Sequence, residues 1–253
     1  MSPYIYTALV RDNLRIGRLI GWALVALVIF GITLVWKSVA KMTPVESYGQ
    51  IVDIIVFRFL ALGAAVASTT VVTQEVEQKT IVYLLTRPQP RWWILLGRML
   101  AAATTTTIIG WMALLGAGIA MFGGAVFGQP SFQKDLVVIA LGSLAYVSFF
   151  TLLSLWVNKA LIVCLLFAFG WEGFVQNMST AMSRISVSTY LNSLADHPQV
   201  QNNSMAFLSG DLTAAQPSTA ASIGVMLAIF AGCAAIGMWW FSTNEYIARE
   251  DGE

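Results

Sequence analysis

Residues 51–72 read IVDIIVFRFLALGAAVASTTVV, an apolar run that contains two charged side chains, Asp53 and Arg58. A helix needs roughly 20 mostly apolar residues to cross the hydrocarbon core of a bilayer, and this run meets that length. The segment is therefore predicted to be a membrane-spanning helix. Charge inside such a helix is a first candidate for function, because it is costly and is usually paired or faces water.

The composition of the whole chain indicates that lipid is its main solvent. Of its 253 residues, 57% are hydrophobic and 11% are charged, whereas soluble domains carry about 25% charged residues. The mean hydropathy is +0.73. A soluble fold of this size could not bury so much apolar surface. The net charge of +1 gives no reason to expect a nucleic-acid partner.

Five further apolar runs flank the first. Together the six predict an all-α integral membrane protein with six transmembrane helices. No internal repeat is visible, so residues 1–253 are expected to form a single transmembrane domain. The run at 94–122 is longer than a bilayer requires and should tilt or project from it, and the run at 160–175 is short. The five further runs are 19–36, 94–122, 136–157, 160–175 and 220–241.

The distribution of Lys and Arg predicts the orientation, because cytoplasmic loops carry an excess of these residues. With the N-terminus inside, nine of them fall on the cytoplasmic side and four on the other. Both termini are therefore expected in the cytoplasm, in a multi-pass protein of the cytoplasmic (inner) membrane. The four on the outer side are Lys37, Lys41, Lys134 and Arg184.

Two segments outside the spans have amphipathic patterns. In residues 1–18, Arg11, Arg15 and Arg18 recur at spacings of four and three and so share one helical face. This favours an N-terminal helix lying in the inner membrane interface; the alternative is a plain basic flank. In residues 176–218, apolar side chains recur from Ile185 to Leu194, which indicates an extracytoplasmic helix that re-enters the membrane or lies along its outer leaflet.

The loop 74–91 contains the third amphipathic pattern. Val76, Thr80, Tyr83 and Leu84 form one helical stripe among charged neighbours, and two prolines follow and stop the helix. Such a helix suits docking to a soluble partner. The alternative, a helix lying idle on the membrane, is equally compatible with the pattern.

Motifs of catalysis and nucleotide binding are missing from the sequence. It has no phosphate-binding G-x-x-x-x-G-K-[ST] loop, no G-x-G-x-x-G after a strand, and no G-x-S-x-G or H-E-x-x-H. His197 is the single histidine and falls in the polar outer segment, which makes an intramembrane protease improbable. No catalytic, cofactor or metal site is therefore predicted on this chain.

Four polar residues inside the spans are the other candidates for function. Arg58 and Glu172 both fall in the outer half of the membrane, so we expect them either to pair across helices or to line a cavity; alternatively Arg58 snorkels and Glu172 reaches the headgroups. Asp53 lies close enough to the interface to need no special role. Thr104 and Thr107 bound a run of four threonines, for which helix packing is favoured over a lining of the transport pathway.

Residues 75–98, EVEQKTIVYLLTRPQPRWWILLGR, resemble the first cytoplasmic loop of the type-two membrane (permease) subunits of ABC transporters. The loose family pattern is an acidic residue, Gly-Thr, Leu-Leu, Pro, Arg, and a basic residue that opens the third span. Lys79 stands where glycine is usual. The stretches WEGFV and ISVSTYLNSL also look similar to the outer segment of that family. The matching residues are Glu75, Thr80, Leu84, Leu85, Pro88, Arg91 and Arg98.

The resemblance implies a fold and a mechanism. Such permeases have six spans, an amphipathic N-terminal helix and outer re-entrant helices, and two copies meet in the membrane on two copies of a separate ATPase subunit. ATP and Mg would bind to that partner, and substrate would be exported. The resemblance leaves room for an extracytoplasmic accessory protein, in addition to lipid. The coupling helix that contacts the ATPase would comprise Glu75, Val76, Thr80, Tyr83, Leu84, Leu85, Arg87 and Arg91.

Two other classes of function remain open at this stage. A membrane scaffold could recruit an ATPase without moving a solute. An intramembrane enzyme would need paired polar groups at matching depth, and the sequence supplies few. The low polar content of the spans slightly favours lipids or amphiphilic molecules as substrates.

Overall fold

A computed structural model describes residues 10, 16–39, 43–77, 91–157, 159–175, 185–197 and 217–243. All regular secondary structure among these residues is helical. Five of the helices are long and apolar enough to cross a membrane, and 160–171 forms a shorter apolar helix. The prediction of an all-α membrane protein is confirmed, while a sixth complete crossing stays a prediction.

Nine α-helices are described, and three short segments of other helix types join some of them. A π-helical segment, Val52–Val56, connects α2 to α3, a 3₁₀ segment, Gly123–Gly128, follows α4, and a second π-helical segment, Leu166–Trp171, lies between α6 and α7. The helices are α1 Ile16–Val39, α2 Pro44–Ile51, α3 Phe57–Glu77, α4 Arg91–Phe122, α5 Pro130–Trp156, α6 Ala160–Leu165, α7 Glu172–Val175, α8 Val187–Ala195 and α9 Thr219–Thr243.

The second membrane helix begins earlier than the sequence prediction of residue 51. Thr43 caps it: its hydroxyl accepts from the Glu46 backbone N–H, and the Glu46 carboxylate accepts from the Thr43 N–H. Pro44 occupies the first turn, where a missing N–H costs nothing. This reciprocal cap satisfies two backbone donors, so α2 continues through the π-helical segment into α3.

Helix α5 occupies the centre of the bundle. It packs against α3, α4, α8 and α9, and most of its side chains are buried, including Tyr146 and Phe150. Helix α1 packs mainly on α4. They approach closely at Gly116, where an added Cβ would stand 2.8 Å from the backbone oxygen of Ala26; only glycine permits that contact. Lys37 on α1 donates hydrogen bonds to the last carbonyls of α4, which lack partners within that helix.

Several predicted segments lie outside the described residues. They include most of the N-terminal segment 1–18, residues 78–90 of the loop 74–91, and 176–184 and 198–216 of the extracytoplasmic segment. The expectations attached to those residues stay predictions.

Candidate functional site

Helix α8 packs on α5 and α9, with Leu191 against Gly142 and the following His197 at Asp135 near the beginning of α5. Its buried apolar residues, Val187, Leu191, Leu194 and Ala195, recur at intervals of three and four and therefore share one face. A helix is thus present in the predicted extracytoplasmic segment, while its re-entrant or interfacial position stays a prediction. The end of the bundle where α2 and α5 begin, and where His197 follows α8, is called the α8 end.

Small residues allow α8 to lie close to α5. Leu191 is fully buried, and a Cβ added to Gly142 would stand 2.7 Å from one of its methyl groups. On the other flank, the hydroxyl of Ser193 donates to the carbonyl of Pro217 and accepts from Ser222 of α9. The position of α8 is thus fixed by one apolar contact and by two hydrogen bonds at its centre.

The C-terminal end of α8 places the only histidine inside the bundle. Asp196 adopts a left-handed conformation, with φ of 52°, which ends the helix and turns the chain inward. The next residue, His197, is 6% exposed. Its Nδ1 lies 2.8 Å from an oxygen of Asp53. Its Nε2 lies 3.1 Å and 3.2 Å from the two oxygens of Asp135.

A tyrosine completes this group. Tyr48 of α2 is fully buried and donates a hydrogen bond of 2.7 Å to Asp135, which is itself fully buried on α5. Tyr48, Asp53, Asp135 and His197 are called the His197 cluster. It joins the segment after α8 to α2, to the π-helical segment Val52–Val56 and to α5, and every member contacts another through a hydrogen bond.

The His197 cluster stabilises a positively charged imidazole. Burial alone lowers the pKa of His197, but its hydrogen bonds to Asp135 and Asp53, and the negative charges of both, outweigh that effect and raise the pKa to about 9. Ionised carboxylates only accept hydrogen bonds, and a neutral imidazole can donate from one nitrogen only. A doubly protonated His197 can donate to both carboxylates.

A second polar group holds the N-terminal end of α8. Glu172 is 4% exposed and accepts a hydrogen bond from Tyr146 of α5. Its carboxylate also lies beside the hydroxyl of Ser188 and the backbone of Val187 and Ser188. The N–H groups of these two residues belong to the first turn of α8, where they have no partner within the helix. Glu172 therefore places a carboxyl group beside the N-terminal end of α8, where the helix dipole favours negative charge.

Arg58 belongs to the same region. Its guanidinium lies against Gly173, where an added Cβ would stand 3.0 Å from Nη1, and it interacts electrostatically with Tyr146. Arg58, Tyr146, Glu172 and Ser188 are called the Glu172 cluster. The structure thus brings Arg58 and the segment around Glu172 into one polar site, and the direct pairing of the two charges stays a prediction.

The threonines of the third span bond mainly within their own helix. The hydroxyls of Thr104 and Thr107 donate to carbonyls of Ala101 and Ala103, and that of Thr107 also contacts the hydroxyl of Ser143 on α5. This is the geometry expected for helix packing. A role of Thr104 and Thr107 in the transport pathway stays a prediction.

The predicted coupling helix is described only at its edges. Glu75 and Val76 lie in the last turn of α3, which ends at Glu77, and Arg91 begins α4. Their side chains lie outside the described residues, as do the whole of Thr80, Tyr83, Leu84, Leu85 and Arg87.

The sequence analysis missed the His197 cluster. It placed His197 in a polar outer loop, assigned Asp53 no role and did not consider Tyr48 or Asp135. One signal was available: a carboxylate at the edge of a predicted span, as Asp53 just inside 51–72 and Asp135 just before 136–157, needs a partner when buried. Among the described residues no group of His, Cys, Asp and Glu could hold a metal ion.

The fold and the two polar clusters define a helical membrane protein that spans the bilayer several times. The family model described as "ABC-2 family transporter protein" matches residues 33–246, which is most of the chain. The protein therefore belongs to the ABC-2 transporter family, and the resemblance of residues 75–98 to permease subunits is confirmed at that level. No curated protein matches the chain.

Proposed function

We propose that the protein is the permease subunit of an ATP-driven ABC exporter in the cytoplasmic membrane. Two copies form the translocation unit, and each is driven by a separate ATPase subunit that binds ATP and Mg. The family match over residues 33–246 carries this proposal, because the membrane components of ABC-2 transporters work with an ABC ATPase.

The positions of the loop 74–91 and of α8 support an ATPase contact at one end of the bundle and an outward-facing α8 at the other. The ends of α3 and α4 at Glu77 and Arg91 lie at the opposite end of these long helices from α8. With the excess of Lys and Arg inside, the loop 74–91 faces the cytoplasm and the α8 end faces outward. A mechanical input at 74–91 would then act through α3 and α4, both of which pack on α5.

The exposed faces of α1 and α9 suit a protein that meets lipid and a second copy. Only 11% of the apolar window of α1 and 22% of that of α9 are buried. In water such faces would favour association, whereas in a bilayer they contact acyl chains or a neighbouring permease. The substrates to test first are lipids and amphiphilic molecules.

Affinity purification of the tagged chain from its native membrane tests the partner assignment. The expected result is a stoichiometric ATPase that is lost with Glu75→Lys or with a deletion of residues 76–85. Lys134→Glu is a matched charge reversal at the α8 end and should leave the ATPase bound. Recovery of the wild-type amount of ATPase with the deletion variant would refute the coupling-helix assignment.

A transport assay distinguishes a membrane scaffold from a transporter. Proteoliposomes that contain the purified complex should accumulate an amphiphilic probe only when ATP is hydrolysed. An ATPase that is bound and active but moves no probe from a panel of lipids and amphiphiles would favour the scaffold.

A further inference from the structure

We propose that the His197 cluster is a proton-binding site whose occupancy holds α8 in place, so that α8 releases one proton each time it moves away from α2 and α5. The site is built from Tyr48, Asp53, Asp135 and His197. No role in the proposed transport cycle has been assigned to it above. Its ligand is a proton, because both ring nitrogens of His197 lie at hydrogen-bond distance from carboxylate oxygens.

The position of the imidazole ring between two carboxylates favours its doubly protonated form. Nδ1 lies 2.8 Å from Asp53, and Nε2 lies within 3.2 Å of Asp135, so both nitrogens face oxygens that accept hydrogen bonds. Removal of either ring proton would leave a nitrogen lone pair facing a carboxylate, a repulsive contact around an imidazole side chain that is only 2% exposed. Tyr48 cannot relieve this contact, because its hydroxyl proton already points to Asp135.

The charged groups that face the ring come from the second-span side and from α5. The second-span side contributes Tyr48 and Asp53, and α5 contributes Asp135. The adjacent Asp196 lies 3.6 Å from Lys134 of α5, and both of these side chains are exposed. Water therefore screens that neighbouring ion pair, whereas the imidazole side chain is 2% exposed.

Among the residues that the structure describes, the remaining elements that contact α8 add no charge near the ring. The described part of α9 has no Asp, Glu, Lys, Arg or His. Glu172, Arg58 and Tyr146 lie at the N-terminal end of α8. Lys37 of α1 donates to the end of α4. The protonated His197 thus contacts two carboxylates on two different helical segments. This site exists only while α8 keeps the position seen in the structure, which is called the seated state.

Protonation of His197 is thermodynamically linked to the position of α8. In the seated state the pKa of His197 is about 9, while a histidine in water has a pKa of about 6.5. Moving α8 outward separates the ring from both carboxylates and exposes it, so at neutral pH the proton leaves. The ratio of displaced to seated α8 should therefore rise about tenfold per pH unit between the two values and be flat at lower pH.

Through this linkage, acid would slow transport and would not accelerate it. If the α8 end faces outward, which rests on the proposed function, acid outside holds α8 seated and slows any step that needs it displaced. The proton exchange itself does not depend on an ATPase. Failure of the proposed function would therefore leave the behaviour of the isolated chain unchanged.

The protonation state is measured by NMR of the full chain, labelled with ¹⁵N-histidine and purified with a tag free of histidine. A single imidazole is then observed, because His197 is the only histidine. Both ring nitrogens should be protonated at pH 7.5, with a midpoint near 9 that falls by at least one unit in Asp53→Asn. Asp196→Asn is the matched control: asparagine tolerates the left-handed backbone, and the midpoint should stay. A neutral ring at pH 7.5 in the wild type would overturn the proposal.

The coupling to movement is measured on the full chain in lipid nanodiscs. Spin labels at Thr189→Cys on α8 and Val137→Cys on α5, with both native cysteines replaced by alanine, report their separation from pH 5.5 to 9.5. The displaced fraction should rise about tenfold per pH unit above pH 6.5 while it is small, and His197→Gln should abolish this slope. A displaced fraction that is undetectable at pH 9.5, independent of pH, or equally steep in His197→Gln contradicts the proposal.

Discussion

Replacement of His197 by alanine should destabilise the α8 end strongly, because it removes the cation between two carboxylates. Asp135 is fully buried, and its other partner is the hydroxyl of Tyr48. Loss of one partner of a buried ion pair costs about 3–5 kcal/mol, since the remaining charge stays desolvated. For a chain of this size that corresponds to a fall in Tm on the order of 10 °C.

The informative comparison is a double-mutant cycle on the same pair. Asp135→Asn removes the uncompensated charge and keeps an acceptor for Tyr48, so Asp135→Asn combined with His197→Ala should be more stable than His197→Ala alone. Unfolding followed by tryptophan fluorescence in detergent measures all four proteins. Strictly additive effects of the two substitutions would refute the idea that Asp135 and His197 interact energetically in the folded chain.

Three further predictions concern the two polar clusters and the packing of α8. Arg58→Ala and Glu172→Ala should be non-additive in the temperature of unfolding, because both residues belong to the Glu172 cluster; additivity would show that the two charges act independently. Gly142→Val should disturb the packing of α8, since an added Cβ would stand 2.7 Å from a methyl group of Leu191 and 3.0 Å from one of Leu60, and should increase proteolysis of α8, whereas Gly124→Val faces open space and should not; equal proteolysis of the two variants would contradict the packing. The wild type should exceed His197→Gln in free energy of unfolding by its maximum amount below pH 6.5, and this excess should disappear as pH rises through about 9. The reason is that the pKa of His197 in the folded chain, about 9, is higher than that of about 6.5 in the unfolded chain. An excess that grows above pH 9 would contradict this linkage.

The helices could be predicted from the sequence because their cause is local. Long apolar runs identify spans by length alone, and the spacing of Val187, Leu191 and Leu194 indicates the buried face of α8. The early start of the second span was also readable: Thr43, Pro44 and Glu46 form a capping signature, and only its closeness to the membrane interface obscured it.

The polar clusters could not be predicted in the same way, because they join residues distant in the sequence. Asp53 and His197 are 144 positions apart, and nothing local to either residue shows that they meet. Each looked unremarkable alone, as a carboxylate near an interface and a histidine in a polar segment. Arg58 and Glu172 were singled out because charge within a span is rare. That criterion identified the region of the site but not the other members of the Glu172 cluster, Tyr146 and Ser188.

The most direct test of the account is transport by the reconstituted complex. Inside-out membrane vesicles that contain the chain and its co-purifying ATPase should accumulate a fluorescent amphiphile with ATP and Mg, and should not do so with a non-hydrolysable ATP analogue or with the deletion of residues 76–85. Equal accumulation with and without the deletion, or accumulation that does not require hydrolysis, would contradict the proposal that this chain is an ATP-driven permease.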